Sequence, residues 1–415
     1  MKHLLIALIA LPLFCEAQSD STAIAAEPDS IKQKIIYRVQ QTDTNAITSS
    51  DAIYNRPFIG MKKTRTALGG YIEGNTNYFA EDGVSEGFSM ELRRFNIFIY
   101  SSISKRIKFL SELEFEHGTE EIELETAQID FELNTAFNFR GGIILPQIGV
   151  FNANHDSPNW ELIDRPLSST TIIPATLSEV GFGVHGKLLS GNSIISYNVY
   201  VTNGLGDGII LNEDAKTNIA SGKSVEMFEE DNNGIPMLNA RVGYMLRNKG
   251  EVGIAYYGGV YNSFQIEGEV VDKQRQLSIV ALDFSASAGK LETRGEFVFA
   301  NIDIPESLGE LYGNQQLGGF IDLVYPLVTK TIFNYDKAQI LVSLRAEYVD
   351  YNYGKIAALN KNIGDEIRGI SIGLSFRPTP STIFRGNYKF QKSTDFLGNP
   401  PANLGGWQFG FASYF

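Results

Sequence analysis

Residues 406–415 read Gly-Trp-Gln-Phe-Gly-Phe-Ala-Ser-Tyr-Phe. Trp407, Phe409, Phe411 and Phe415 share one parity, and Gln408, Gly410 and Ala412 hold the other. A period of two means a strand with one apolar face. Terminal residues in water usually fray, so so aromatic a strand at a chain end asks for a partner. A transmembrane barrel supplies one, because its last strand must pair with its first to leave no open edge in hydrocarbon. The competing explanation is an ordinary terminal strand of a β-sandwich.

The start of the chain has the layout of a secretory leader. Lys2 and His3 are followed by an apolar core, Leu4 to Phe14, that is too short to span a membrane. Cys15-Glu16-Ala17 offers small residues before a cut at Gln18, which makes 1–17 the expected leader. The alternative is a lipoprotein acylated at Cys15, although Phe14 is bulky where that processing favours a small residue. Cys15 is the only cysteine, so a chain cut after Ala17 has no disulfide, thiolate metal site or cysteine nucleophile. Residues 18–66 are rich in Ser, Thr, Asn, Asp and Ala and read as a periplasmic extension or linker, with a pore plug as the other option.

From Ala67 onward, strands and turns alternate. Phe95, Ile97 and Ile99 oppose Arg94, Asn96 and Phe98; Ala127, Ile129, Phe131 and Leu133 oppose Gln128, Asp130, Glu132 and Asn134. About sixteen such runs fit between 67 and 415, each long enough for the roughly 9–11 residues of a tilted membrane strand. Tight turns (104–106, 134–136, 378–380) alternate with longer connections (146–178, 203–235, 301–314, 354–365), and no repeat of the length expected of a propeller or solenoid is present. The expected fold is all-β: an antiparallel transmembrane barrel over 67–415, with both ends on the periplasmic side. The net charge of -13 argues against a nucleic-acid partner.

Motifs for chemistry are weak. Gly369-Ile370-Ser371-Ile372-Gly373 fits the hydrolase pattern Gly-x-Ser-x-Gly, but it falls inside an alternating strand rather than at a strand-turn-helix elbow. The four histidines, His3, His117, His155 and His185, show no metal-ligand spacing. No catalytic set, metal site or cofactor is expected.

The informative segment is 146–178, with its four prolines, Trp160, the sequences His155-Asp156-Ser157-Pro158 and Asp164-Arg165-Pro166, and the apolar pair Ile172-Ile173. Proline stiffens it, and its apolar content calls for a surface to pack on. A lumen wall is one such surface; an outer lid over the barrel mouth is the alternative. Together with Arg93-Arg94-Phe95, the Glu-rich run 112–116 and Arg140-Gly141-Gly142, these motifs resemble the Bacteroidetes branch of the phosphate-selective porin O and P family, most strongly over about 67–190. The resemblance implies a sixteen-stranded trimeric porin of the Gram-negative outer membrane, with a loop folded into the lumen. Phosphate selectivity in that family rests on rows of Arg and Lys. Here the early inward face carries Glu112, Glu114, Glu116, Glu123, Glu125, Asp130 and Glu132 against Arg94, Lys108 and Arg140, so the resemblance implies a porin without implying phosphate.

The expected function is a passive diffusion channel for small hydrophilic or ionic solutes. The constriction set is Arg94, Lys108, Glu112, Glu114, Asp130 and Arg140 on the wall, with His155, Asp156, Asp164 and Arg165 from the loop. Trp407, Phe409, Phe411 and Phe415 are the expected signal for the barrel insertion machinery. Other partners are outer-membrane lipid and lipopolysaccharide, with two further copies of the chain in a homotrimer. The rival functions are a barrel protease or lipase, and a structural or adhesive barrel with a blocked lumen.

Overall fold

The computed structural model describes residues 36–38, 47–60, 65–356, 361–362, 364–395 and 399–415. The expected leader, 1–17, lies outside these residues, as does most of the extension.

Sixteen antiparallel strands form one closed barrel: β1 (Thr66–Glu81), β2 (Phe88–Ser102), β3 (Ile107–Glu116), β4 (Glu121–Asn134), β5 (Phe137–Ile144), β6 (Glu179–Ser190), β7 (Ser193–Thr202), β8 (Met237–Leu246), β9 (Gly250–Val260), β10 (Gln276–Ala288), β11 (Leu291–Ile302), β12 (Gln315–Ile332), β13 (Tyr335–Asp350), β14 (Glu366–Thr379), β15 (Thr382–Thr394) and β16 (Ala402–Tyr414). Each strand pairs with the next, and β16 returns to β1 with Tyr414 opposite Tyr71 and Leu404 opposite Glu81. The sixteen alternating runs of the sequence are these sixteen strands, because a membrane wall one sheet thick forces strict in-out alternation. The outward face is apolar: Ile254, Leu282, Phe297, Ile321, Ile372, Phe384, Trp407 and Phe409 are all about half exposed. No helix among the described residues is long and apolar enough to cross a membrane.

Connections at one end are short. Phe333 and Asn334 form a two-residue hairpin in which both have positive φ, 49° and 65°, the type I′ geometry that matches strand twist. At the other end are the long connections 145–178 and 203–236.

Two β-bulges break the alternation on the charged side. Glu73 faces Arg94 and Gly74 faces Leu92, so Arg93 is the extra residue of β2. Glu112 faces Thr126 and Leu113 faces Leu124, so Glu125 is the extra residue of β4. A bulge re-aims a side chain, and both of these residues take part in the interior ion pairs described below.

Candidate functional site

The barrel interior is largely occupied, first by residues 47–60. A short 3-10 helix, Ser49–Tyr54, starts at Thr48, which exchanges side-chain and backbone hydrogen bonds with Asp51. The Ser49 backbone N–H donates to Glu251 at 2.8 Å, Ser50 donates to Gln147 at 2.7 Å, Lys187 pairs with Asp51, and the Tyr54 hydroxyl donates to Asp130. Arg56 is fully enclosed, with its guanidinium 2.7 Å from Glu112 and 2.6 Å from Asp156. Phe58 packs with Tyr71, Phe98, Tyr100, Leu110 and Leu145. Residues 47–58 of the stretch read as a polar extension therefore lie against the inner wall, and Ile59 and Gly60 then pair with Leu68 and Ala67 at the start of β1. Tyr54, Arg56 and Phe58 find partners there for groups that the linker-like composition around them conceals.

The second occupant is the connection 145–178 between β5 and β6. Its chain crosses the lumen and is fixed at several points. His155 Nε2 lies 3.2 Å from Glu125, and Asp156 accepts from Arg56 and from Tyr414 at 2.7 Å. Glu161 takes Arg294 at 2.8 Å and Arg377 at 2.7 Å, on β11 and β14. Asp164 takes Lys389 at 2.8 Å, Gln408 at 3.0 Å and Arg93 at 3.3 Å, on β15, β16 and β2. Burial alone would raise the Asp164 carboxyl, but Lys389 and Arg93 outweigh it and hold the group well below the usual carboxylate range. Ser168 and Ser169 donate to Glu296. The Arg294 guanidinium lies 3.7 Å over the ring of Trp160, whose indole N–H donates to the Asn154 carbonyl at 2.7 Å. Arg385 donates to the carbonyls of Ser157, Trp160 and Leu162 while pairing with Glu73 at 2.8 Å. These contacts place the loop within the barrel, on side chains that point inward from mid-strand.

Two cavities flank the Ser49–Tyr54 helix at the short-turn end. One, of about 500 Å³, is lined by Asp51, Tyr54, Lys108, Asp130, Arg140 and Lys187, among others. The other, of about 390 Å³, is lined by Ser49, Glu161, Lys249, Glu251 and Arg294, among others. Arg140 grips Asp130 with two bonds, 2.7 and 3.0 Å, and touches Tyr200 at 3.3 Å.

All ten residues of the expected constriction are in the interior, but they are not equally open to water. Lys108, Asp130 and Arg140 line the larger cavity, Lys108 half-buried and the Asp130–Arg140 pair under a tenth exposed. Glu112, Glu114, Arg94, His155 and Asp156 are enclosed between wall and loop, each under a tenth exposed. Arg94 bridges Glu73, Glu114 and Glu116. Arg165 is partly exposed and stacks over Phe151 at 5.7 Å. The expected insertion residues Trp407, Phe409, Phe411 and Phe415 face outward, and Phe415 stacks on Phe95 at 5.7 Å. Ser371 lies mid-strand in β14, opposite Arg345 and Lys389, and is no elbow. The constriction set read from the sequence lacks Tyr54, Arg56, Glu73, Glu161 and Glu296. Only the inward parity of the two wall glutamates, Glu73 and Glu296, marks any of them in the sequence.

No family model matches the chain. An uncharacterized protein of Aquifex aeolicus (strain VF5) is 33% identical over 150 residues, which is 34% of this chain and 33% of that protein, so the match spans about a third of the relative's length. Among solved structures, the anion-selective porin from Comamonas acidovorans superposes with a TM-score of 0.51 at 12% identity, covering 85% of this chain and 100% of that one. The outer membrane channel DcaP of Acinetobacter baumannii gives 0.50 at 12% identity, covering 84% and 97%. At such identities the likeness is one of fold, and that fold is the outer-membrane porin-like barrel.

Proposed function

We propose that the protein is a passive diffusion channel of the Gram-negative outer membrane, for small hydrophilic or ionic solutes, and not an enzyme. The observation that carries this reading is the position of residues 145–178 inside a closed barrel, tied by charged groups to walls on both sides. Solute passing such a loop meets fixed charges in a confined, poorly screened space, where pore radius and charge filter together. The described segments 47–60 and 145–178 fill much of the lumen beside the two cavities at the short-turn end, so the channel is a narrow one. The sequence motifs support placement near the phosphate-selective porin O and P family, without its rows of basic residues, and with that a homotrimer inserted through its aromatic last strand. A second reading, a barrel blocked for a structural role, draws on the same occupied lumen.

Planar-bilayer recording tests both. Steady single-channel current is expected from the pore, and its absence in folded protein would leave the blocked barrel. Arg140→Glu, and Lys108→Glu as a gentler variant on the same cavity, should move the reversal potential in a salt gradient towards cation selectivity. A reversal potential unchanged in both would remove this cavity from the conducting path.

A further inference from the structure

Three metal-ligating side chains meet where the loop touches the wall: Glu112 from β3, Glu125 from the β4 bulge and His155 from the loop. All three are buried, and their ligand atoms lie within 4.8 Å of one another. His155 Nε2 is 3.2 Å from a Glu125 oxygen and 3.7 Å from a Glu112 oxygen. Two ligands each about 2.1 Å from one ion stand roughly 3–3.5 Å apart, so His155 is already spaced for a shared ion with either carboxylate, and closing the set is a matter of side-chain rotation by the two glutamates. The other ring nitrogen, Nδ1, is 2.9 Å from the Asn152 carbonyl oxygen. A carbonyl only accepts, so Nδ1 carries the proton and Nε2 faces the carboxylates. Metal-bound histidines are held in this way, with the far N–H donated to a carbonyl or carboxylate.

Two independent observations call for a cation here. The first is charge. Glu73, Glu112, Glu114, Glu116, Glu125 and Asp156 converge, while among the described residues the guanidinium groups in ion-pair contact with them are three, Arg56, Arg94 and Arg385, joined by the imidazole of His155 beside Glu112, Glu125 and Asp156. Arg165 adds its charge from beyond contact distance. Buried charge without a partner is costly. The second is unmet hydrogen bonding. Asn96 and Thr126 are fully buried, and the Asn96 carbonyl oxygen and Thr126 hydroxyl have no partner among the described residues. The Asn96 amide donates to Glu112 at 2.7 Å, and Thr126 stands directly opposite Glu112 and next to Glu125.

We infer that Glu112, Glu125 and His155 bind a divalent first-row transition cation of the Zn²⁺ type, clamping the loop onto β3 and β4. One imidazole with two carboxylates and no thiolate suits Zn²⁺ or its neighbours; Ca²⁺ and Mg²⁺ favour all-oxygen sites. The site is independent of conduction and stands even if the lumen is blocked.

The test uses the full folded protein without a histidine tag, stripped by chelator, re-equilibrated with Zn²⁺ and assayed for metal per chain. Folding is followed by heat-modifiable gel mobility. About one tightly held Zn²⁺ per chain is expected, with a rise in the unfolding temperature. His155→Gln and Glu125→Gln should weaken binding about tenfold or more, and His185→Gln should leave it unchanged. If His155→Gln fails to fold, the near-isosteric Glu125→Gln decides. Wild type that retains no stoichiometric Zn²⁺, or folded variants that bind as well as wild type, would overturn the assignment.

Discussion

Towards the long-connection end of β9 to β11, the inner wall is Ala255, Tyr257, Leu277, Ile279, Ala281, Val298, Ala300 and Ile302, all essentially inaccessible, while Glu251, Asp283, Arg294 and Glu296 stand inward nearer the short turns. On the side of β1 to β4 it is Glu73, Arg94, Glu112, Glu114 and Glu125. The loop is divided to match. Ile148, Ile172, Ile173 and Leu177 near its two ends join the apolar wall, together with Leu205, Ile209 and Ile219 of the connection 203–236. Its middle, from His155 to Ser169, meets the charges, those of β1 to β4 and also Arg294 and Glu296 of β11. The apolar side is held by non-directional burial, which tolerates small shifts. The charged side is held by paired groups with fixed geometry, in which losing one member strands the other. On the proposed reading as a channel, a pore that must stay narrow but admit movement has reason to anchor one part of its loop by contact area and to position the rest by charge.

The contrast can be broken by substitution. Arg56→Ala leaves Glu112 and Asp156 facing each other without their guanidinium and should cost about 3–5 kcal/mol, read as a lower thermal midpoint of the folded gel band. Ile173→Ala on the apolar side opens a cavity and should cost roughly 3 kcal/mol, with no change in salt dependence; a salt-dependent loss would show that the two sides are not separate. On the outer face, Ile372→Arg should cost about 2–4 kcal/mol near the midplane. Glu123→Arg, inward and exposed, should leave assembly unaffected, and equal impairment of both would reject the assigned faces. The smallest effect is expected from Asp164→Asn, about 1 kcal/mol at neutral pH. Because its folded carboxyl is held below the ordinary value, Asp164 contributes stability that is fully present above that value and is lost as pH falls through the folded one. The gap between wild type and Asp164→Asn should therefore be constant above about pH 5 and close below about pH 4.

The charged side was legible in the sequence and the apolar side was not. In β2 and β4, polar and apolar residues alternate, so parity alone assigns the faces of Arg94, Asn96, Asp130 and Ile97. In the long-connection halves of β9 to β11 both faces are apolar, as in Ala255-Tyr256-Tyr257 and Phe297-Val298-Phe299, and although parity carried on from Glu292, Arg294 and Glu296 assigns the inner face of β11, it cannot say that this face meets a loop rather than water. The bulges that free Arg93 and Glu125 follow from strand register, which no single strand reveals. The ligand set Glu112, Glu125 and His155 is spread over two strands and a loop, so no spacing rule detects it. Residues 47–60 were hidden by composition: one Tyr, one Arg and one Phe in a polar stretch carry most of its contacts.

Arg385, Lys389 and Gln408, on β15 and β16, hold the middle of the loop, and β16 also forms the seam with β1. The residues that close the cylinder are therefore also the ones that receive the loop. During biogenesis a chain whose last two strands have not yet arrived has neither a sealed wall nor a complete seat for residues 155–164. Docking the loop and sealing the seam thus become a single late step, and a nascent barrel cannot be shut around a misplaced loop without giving up the ion pairs that would have rewarded its closing.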